Sequence, residues 1–175
     1  MKSFLLLITV LIVFSATPSF AQFDFTPDSL TVLTESFSKP FPTVWKAILK
    51  VVKEKGCAIE SKKESVDEKT ETRRGNIRSE ACVMISGEDS TRDVMLVWGK
   101  VPMIRGGVWV SGRVQYNFVV SDMPDKSVKV VLTVELSGNE NYITSQVHFW
   151  HSNGILDNEM MEKLKAALSA PVEKK

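Results

Sequence analysis

The stretch from Gly106 to Val120, GGVWVSGRVQYNFVV, decides the fold. Val108, Val110, Val114, Tyr116, Phe118 and Val120 occupy one parity; Trp109, Ser111, Arg113, Gln115 and Asn117 occupy the other. Successive side chains of a strand point to opposite faces, so the pattern predicts a strand with one dry and one wet face. Ser127 to Ser137 repeats it, with Val128, Val130, Leu132, Val134 and Leu136 alternating with Lys129, Thr133 and Glu135. Between the two lies Asp122-Met123-Pro124-Asp125-Lys126, whose proline presets a turn dihedral and whose aspartates accept from nearby amides. Together they read as an antiparallel hairpin, and its dry face must be covered from elsewhere in the chain.

Two segments have the spacing to cover it. From Thr43 to Lys55, Val44, Ile48, Val51 and Val52 form a helical stripe flanked by Trp45 and Leu49. Pro42 suits its first turn and Gly56 a left-handed stop. From Ile155 to Leu168, a second stripe holds Leu156, Met160, Leu164, Ala167 and Leu168, opened by Ser152-Asn153-Gly154 as a cap. Its acids Asp157 and Glu159 come early and Lys163 and Lys165 late, which complements the helix dipole.

Further strands are expected at Leu30–Phe37, Cys57–Ser61 and Asn76–Ile85, the last with Ile77, Ala81, Val83 and Ile85 facing inward. Val94–Val101 is a continuous apolar run and reads as a strand covered on both faces. Ile143, Val147 and Phe149 mark a final short strand. Residues 62–74, KKESVDEKTETRR, are almost wholly charged and read as an exposed loop or hairpin tip. Residues 30–170 therefore predict a single α+β domain. Its antiparallel sheet packs against a C-terminal helix, with one more helix after the first strand.

Ahead of the domain, Met1-Lys2-Ser3 is a positive start, Phe4–Phe14 a nearly unbroken apolar run, and Ser19-Phe20-Ala21 a small-residue site. This predicts a signal peptide over 1–21, cleaved near Ala21, followed by an extended arm over 22–29. The apolar run is shorter than the ~20 residues of a spanning helix. No cysteine lies at the cleavage point to carry a lipid anchor. The expected location is secreted or periplasmic, with no membrane span. The net charge of +1 falls to zero when the leader takes Lys2 away. Nucleic-acid binding is driven mostly by a surplus of Lys and Arg, so the charge argues against that partner class and none is expected.

Candidate chemistry is sparse. The two cysteines, Cys57 and Cys82, lie on neighbouring strands of an exported chain, which invites a disulfide. Parity argues against it, because Cys57 shares the core face with Ile59 whereas Cys82 falls opposite Ala81 and Val83. Unless a bulge resets the register, two buried or half-buried thiols are expected. His148 and His151 have odd spacing and no ligand partners nearby, so neither a metal site nor a cofactor is expected. No nucleophile elbow, P-loop, dinucleotide fingerprint or zinc-protease motif is present, which argues against an enzyme. Trp109, Arg113 and Gln115, on the wet parity of the main strand, form either a candidate contact patch, since Trp and Arg are favoured at interfaces, or a solvated face whose tryptophan is tucked under a loop. Tyr116, Phe118 and Leu132, opposed by Leu156, Met160 and Leu164, form either plain core or an apolar groove between sheet and helix.

Three stretches also carry a resemblance. Phe37–Gly56 (FSKPFPTVWKAILKVVKEKG), Gly75-Asn76-Ile77-Arg78-Ser79-Glu80 opening a strand, and Ser152-Asn153-Gly154-Ile155-Leu156 opening the last helix resemble small bacterial envelope proteins of the helix-grip type. The comparison is to the domains of the BamC lipoproteins and, more distantly, to START/Bet v 1-like ligand-binding domains. The resemblance implies a sheet gripping a helix and a non-enzymatic role. The chain departs from those lipoproteins at Gln22, where they carry a cysteine, so neither their lipid tether nor their membership of an assembly complex carries over. The expected function is an exported, non-catalytic binding or scaffold module with an envelope protein as partner. The alternative is a carrier of an apolar small ligand.

Overall fold

A computed structural model describes residues 31–170, so the signal peptide over 1–21 and the arm over 22–29 lie outside the described residues. The elements run β1 (Val32–Phe37), α1 (Phe41–Glu54), β2 (Ile59–Val66), β3 (Arg73–Ser79), β4 (Cys82–Ser86), α2 (Arg92–Met95), β5 (Trp109–Asp122), β6 (Val128–Glu140), β7 (Gln146–His151) and α3 (Ile155–Ser169). The fold is α+β, with a seven-stranded antiparallel sheet and α1 and α3 packed on it.

The β5–β6 hairpin is the spine. Each of its strands is long enough to serve two short strands on its outer side. Against β6 lie β1, paired with 128–133, and β7, paired with 135–140. Against β5 lie β3, which carries β2 on its far side, and β4. Val114, Tyr116, Phe118 and Val120 pair with Leu136, Val134, Leu132 and Val130, and all eight are buried. That row of apolar pairs is the dry face the alternation predicted.

Helix α1 buries Phe41, Val44, Trp45, Ala47, Ile48, Val51 and Val52. It ends in a paired closure: the Gly56 amide donates to Lys53 O and the Cys57 amide to Val52 O, with Gly56 at φ +77°. This closure satisfies the last carbonyls and needs a left-handed residue. It also turns Cys57 back toward the sheet. Helix α3 buries Leu156, Asp157, Met160, Met161, Leu164 and Leu168. Its cap is Gly154, at φ +94°, and its first turn is held by Asn153 Oδ1, which accepts from the Ile155 amide. Lys55–Glu159 at 2.6 Å and Lys165–Glu35 at 2.7 Å tie α3 to the end of α1 and to β1.

Four expectations are corrected. The stretch expected as one strand over 76–85 is two, broken at Glu80–Ala81, where neither residue pairs with β5. The break resets parity: Cys82 pairs with Val114 on the dry face, and Val83 faces solvent. Cys57 and Cys82 are in consequence joined by a disulfide, with a Cα separation of 5.3 Å, rather than free.

Residues 94–101 do not form a strand. Thr91 Oγ1 accepts from the Val94 amide and opens a helical turn that buries Met95, and Val101 follows as a core contact. A short apolar run cannot be assigned by periodicity alone, and the Thr91 cap decides it. The charged stretch 62–74 is exposed as expected, yet Lys62–Val66 and Arg73–Arg74 are paired strand and only the turn between them is loop. Backbone pairing onto β3, itself anchored on β5, extends a ribbon whose side chains are all solvated.

The fourth correction concerns Trp109. A bulge between Trp109 and Ser111 shifts the register, so Trp109 pairs with the buried Glu140 and is itself buried. It does not lie on the wet face with Arg113 and Gln115.

Candidate functional site

Both long helices cover one face of the sheet; among the described residues the other carries no helix. Its side chains can be read as rows across paired strands. One row is Val83, Arg113, Ser137 and Phe149, in β4, β5, β6 and β7. Val83 is 61% and Phe149 73% exposed, and Arg113 is exposed without a carboxylate partner among the described residues. The next residues of β5 and β6 on this face are Gln115 and Glu135. Of the predicted contact patch, Arg113 therefore stands on this face, Gln115 is half-buried on it, and Trp109 is absent. Phe149 is the aromatic in Arg113's row.

Gln115 has a structural task here. The break between β3 and β4 leaves Gln115 and Tyr116, in the middle of β5, without a ladder partner on the side away from β6. Ser79 fills part of the gap, its hydroxyl accepting from the Tyr116 amide at 2.9 Å. The Gln115 amide donates to Ser79 O at 2.8 Å and to Glu60 Oε2 at 3.0 Å, while its carbonyl accepts from Arg78 at 2.7 Å. Arg78 also meets Glu60 at 3.0 Å and Glu135 at 3.8 Å. Gln115, Arg78, Glu60 and Glu135 thus form one polar network, and Arg113 stands beside it without a partner in it.

A second constellation, missed in the sequence reading, sits at the far end of β6. Glu140 is buried, and its Oε1 accepts from the amides of Tyr142 (2.7 Å), Ile143 (2.8 Å) and Val108 (3.1 Å). Oε2 accepts from the Thr144 amide at 2.6 Å and the Thr144 hydroxyl at 2.7 Å. Burial opposes the charge, but these amides and the hydroxyl outweigh it and hold the carboxyl well below the usual carboxylate range. The Thr144 hydroxyl has one proton and gives it to Glu140, so the His148 Nε2 that lies 2.7 Å away is the donor in that pair. His148 lies edge-on to Trp109, and Trp109 to Trp150, at centroid distances of 5.6 and 5.7 Å. The acid-plus-turn run Glu140-Asn141-Tyr142-Ile143-Thr144 was the available signal. The constellation orders the loop that leads into β7.

The six residues of the predicted groove, Tyr116, Phe118, Leu132, Leu156, Met160 and Leu164, are brought together, each at most 6% exposed within one core cluster. The Tyr116 hydroxyl is pushed up to about 12 by burial and by the neighbouring Glu159 and Asp157. Open pockets of about 600 Å³ near the α1 entry and about 530 Å³ beside Ser90 and Trp109 are lined by none of the six. Asp157, on the same helix, is buried, and among the described residues neither carboxylate oxygen has a well-formed hydrogen bond, the Ser152 hydroxyl and its own amide being only near neighbours. Burial raises its carboxyl above the usual range, opposed by the Ser152 hydroxyl and the helix backbone.

Among the described residues no group of three or more His, Cys, Asp or Glu could hold a metal, and no helix is long and apolar enough to cross a membrane. No protein family, curated protein or solved structure matches the chain in comparisons with each.

Proposed function

We propose that the chain is an extracytoplasmic, non-catalytic binding module that works through protein contacts on the helix-free face of its sheet. The observation that carries the reading is the row from Val83 through Arg113 to Phe149. It combines two exposed apolar side chains with an unpaired guanidinium on rigid, hydrogen-bonded strands. Interfaces favour that combination, because apolar and aromatic groups supply contact area and Arg supplies directional donors. The Cys57–Cys82 bond and the leader-like residues 1–21 support an oxidising compartment outside the cytoplasm. The resemblance to envelope helix-grip domains agrees with a contact role. A carrier of an apolar ligand has weaker support, since its six residues are packed core.

The test is recovery of partners from envelope extract by tagged protein. Arg113→Glu combined with Val83→Lys is expected to lower recovery at least about tenfold. Lys50→Glu, on the solvent side of α1, leaves it unchanged. Equal recovery by all three proteins discards the proposal.

A further inference from the structure

We infer that two copies of this chain join edge to edge through β7, continuing the sheet across a two-fold axis. The inference does not rest on the binding role proposed above. β7 is outermost: it pairs with β6 alone, and among the described residues the only bridge beyond it is Gly99 to Ser152, just past its end. The opposite edge is made of β2, guarded by Glu60, Lys62, Lys63 and Glu64, all exposed, and of β4, which is only five residues long and bulged between Val83 and Ile85. Charged edges, lysine above all, deter strand addition. β7 reads Gln-Val-His-Phe-Trp-His and has no Lys, Arg, Asp, Glu or Pro.

Exposed apolar groups gather along this same edge. Phe149 is 73% and Val147 53% exposed on β7; Tyr142 is 74% and Ile143 54% exposed in the loop before it; Val32 is 51% exposed at the start of β1. β1 and β7 lie end to end on one side of β6 and run in the same direction. An antiparallel copy of β7 laid on this edge therefore brings its preceding loop alongside the start of β1. Tyr142 and Ile143 of one copy then fall beside Val32 of the other, and the reverse holds by symmetry.

The occupant is a second copy because the edge is self-complementary. A two-fold contact places the same patch on itself, so any formal charge in β7 would face its own like. β7 has no Lys, Arg or carboxylate to do so. Paired residues must share a face, so odd positions meet odd positions. With the two-fold axis at His148, Val147 and Phe149 of one copy lie against Phe149 and Val147 of the other, apolar against aromatic. Arg113 and Val83 remain free on the open face.

Sedimentation equilibrium of the purified chain, with the Cys57–Cys82 bond intact, tests this across micromolar concentrations. The wild type is expected to sediment as a dimer. Phe149→Lys, and independently Val147→Lys, should raise the dimer dissociation constant at least about thirtyfold. Both side chains are exposed, so far-UV circular dichroism should stay native. Val83→Lys, on the same face but away from this edge, should remain dimeric. A monomeric wild type overturns the inference, including one that captures a foreign protein through β7. So does dimer retention by the two β7 variants with native circular dichroism.

Discussion

Glu140 and Asp157 are both buried acids, and their surroundings send them in opposite directions. Glu140 faces three backbone amides from Tyr142 to Thr144, the Val108 amide and the Thr144 hydroxyl. Its folded-state ionisation lies below the ordinary 4.5, so its contribution to stability is present above that value and lost as pH falls toward the folded value. Glu140→Gln would set an NH₂ among donors. Hydrogen exchange at the amides of Tyr142, Ile143 and Thr144 should then quicken at least about tenfold at neutral pH. The gap in stability between variant and wild type should narrow in acid. Asp157 has the reverse sign. Its ionisation is raised above 3.8, so its charge costs stability at neutral pH and the cost fades as pH drops through the folded value. Asp157→Asn should raise stability by about 1 kcal/mol near neutrality, measured by urea unfolding, and the gain should shrink in acid. Residues like these are hard to read in advance. Glu140 follows the end of the clear alternation, and Asp157 in a first helical turn looks like an ordinary dipole partner, although it neighbours the apolar stripe.

At the scale of elements, periodicity was readable wherever a strand or helix ran unbroken. Tyr116 to Val120, Val128 to Leu136 and Leu156 to Leu168 fell on the faces their spacing predicts. Breaks in register carried no periodic signal. The step at Glu80–Ala81 brought Cys82 onto the face of Cys57, and the bulge at Val110 turned Trp109 inward. Replacing both cysteines by serine should lower stability by about 3 kcal/mol, the loop-closure term for a separation of 25 residues, as read by denaturant unfolding. The tryptophan cluster depends on a thin sheet beneath it. A Cβ on Gly138 would stand 2.9 Å from Ser111 O, 2.9 Å from Trp150 and 3.0 Å from Trp109. Gly138→Ala should therefore cost about 2 kcal/mol, with a change in near-UV circular dichroism from the displaced indoles. An unaltered spectrum and midpoint would show that the strand can yield there.

Across the whole molecule the two faces of one sheet differ in what they contact. The face under α1 and α3 holds the core cluster and is spent on stability. The opposite face is built on the same hydrogen-bonded strands but leaves Val83 and Arg113 in solvent. A surface of that kind is preorganised, so a partner need not order it on binding. The most direct measurement of the proposed role is photo-crosslinking in intact cells, with a photoreactive side chain at position 83 and, for comparison, at position 50 on the outer side of α1. Adducts to another protein from position 83, and none from position 50, are predicted. Adducts from position 50 with none from position 83 would contradict the assignment of the working surface to the helix-free face.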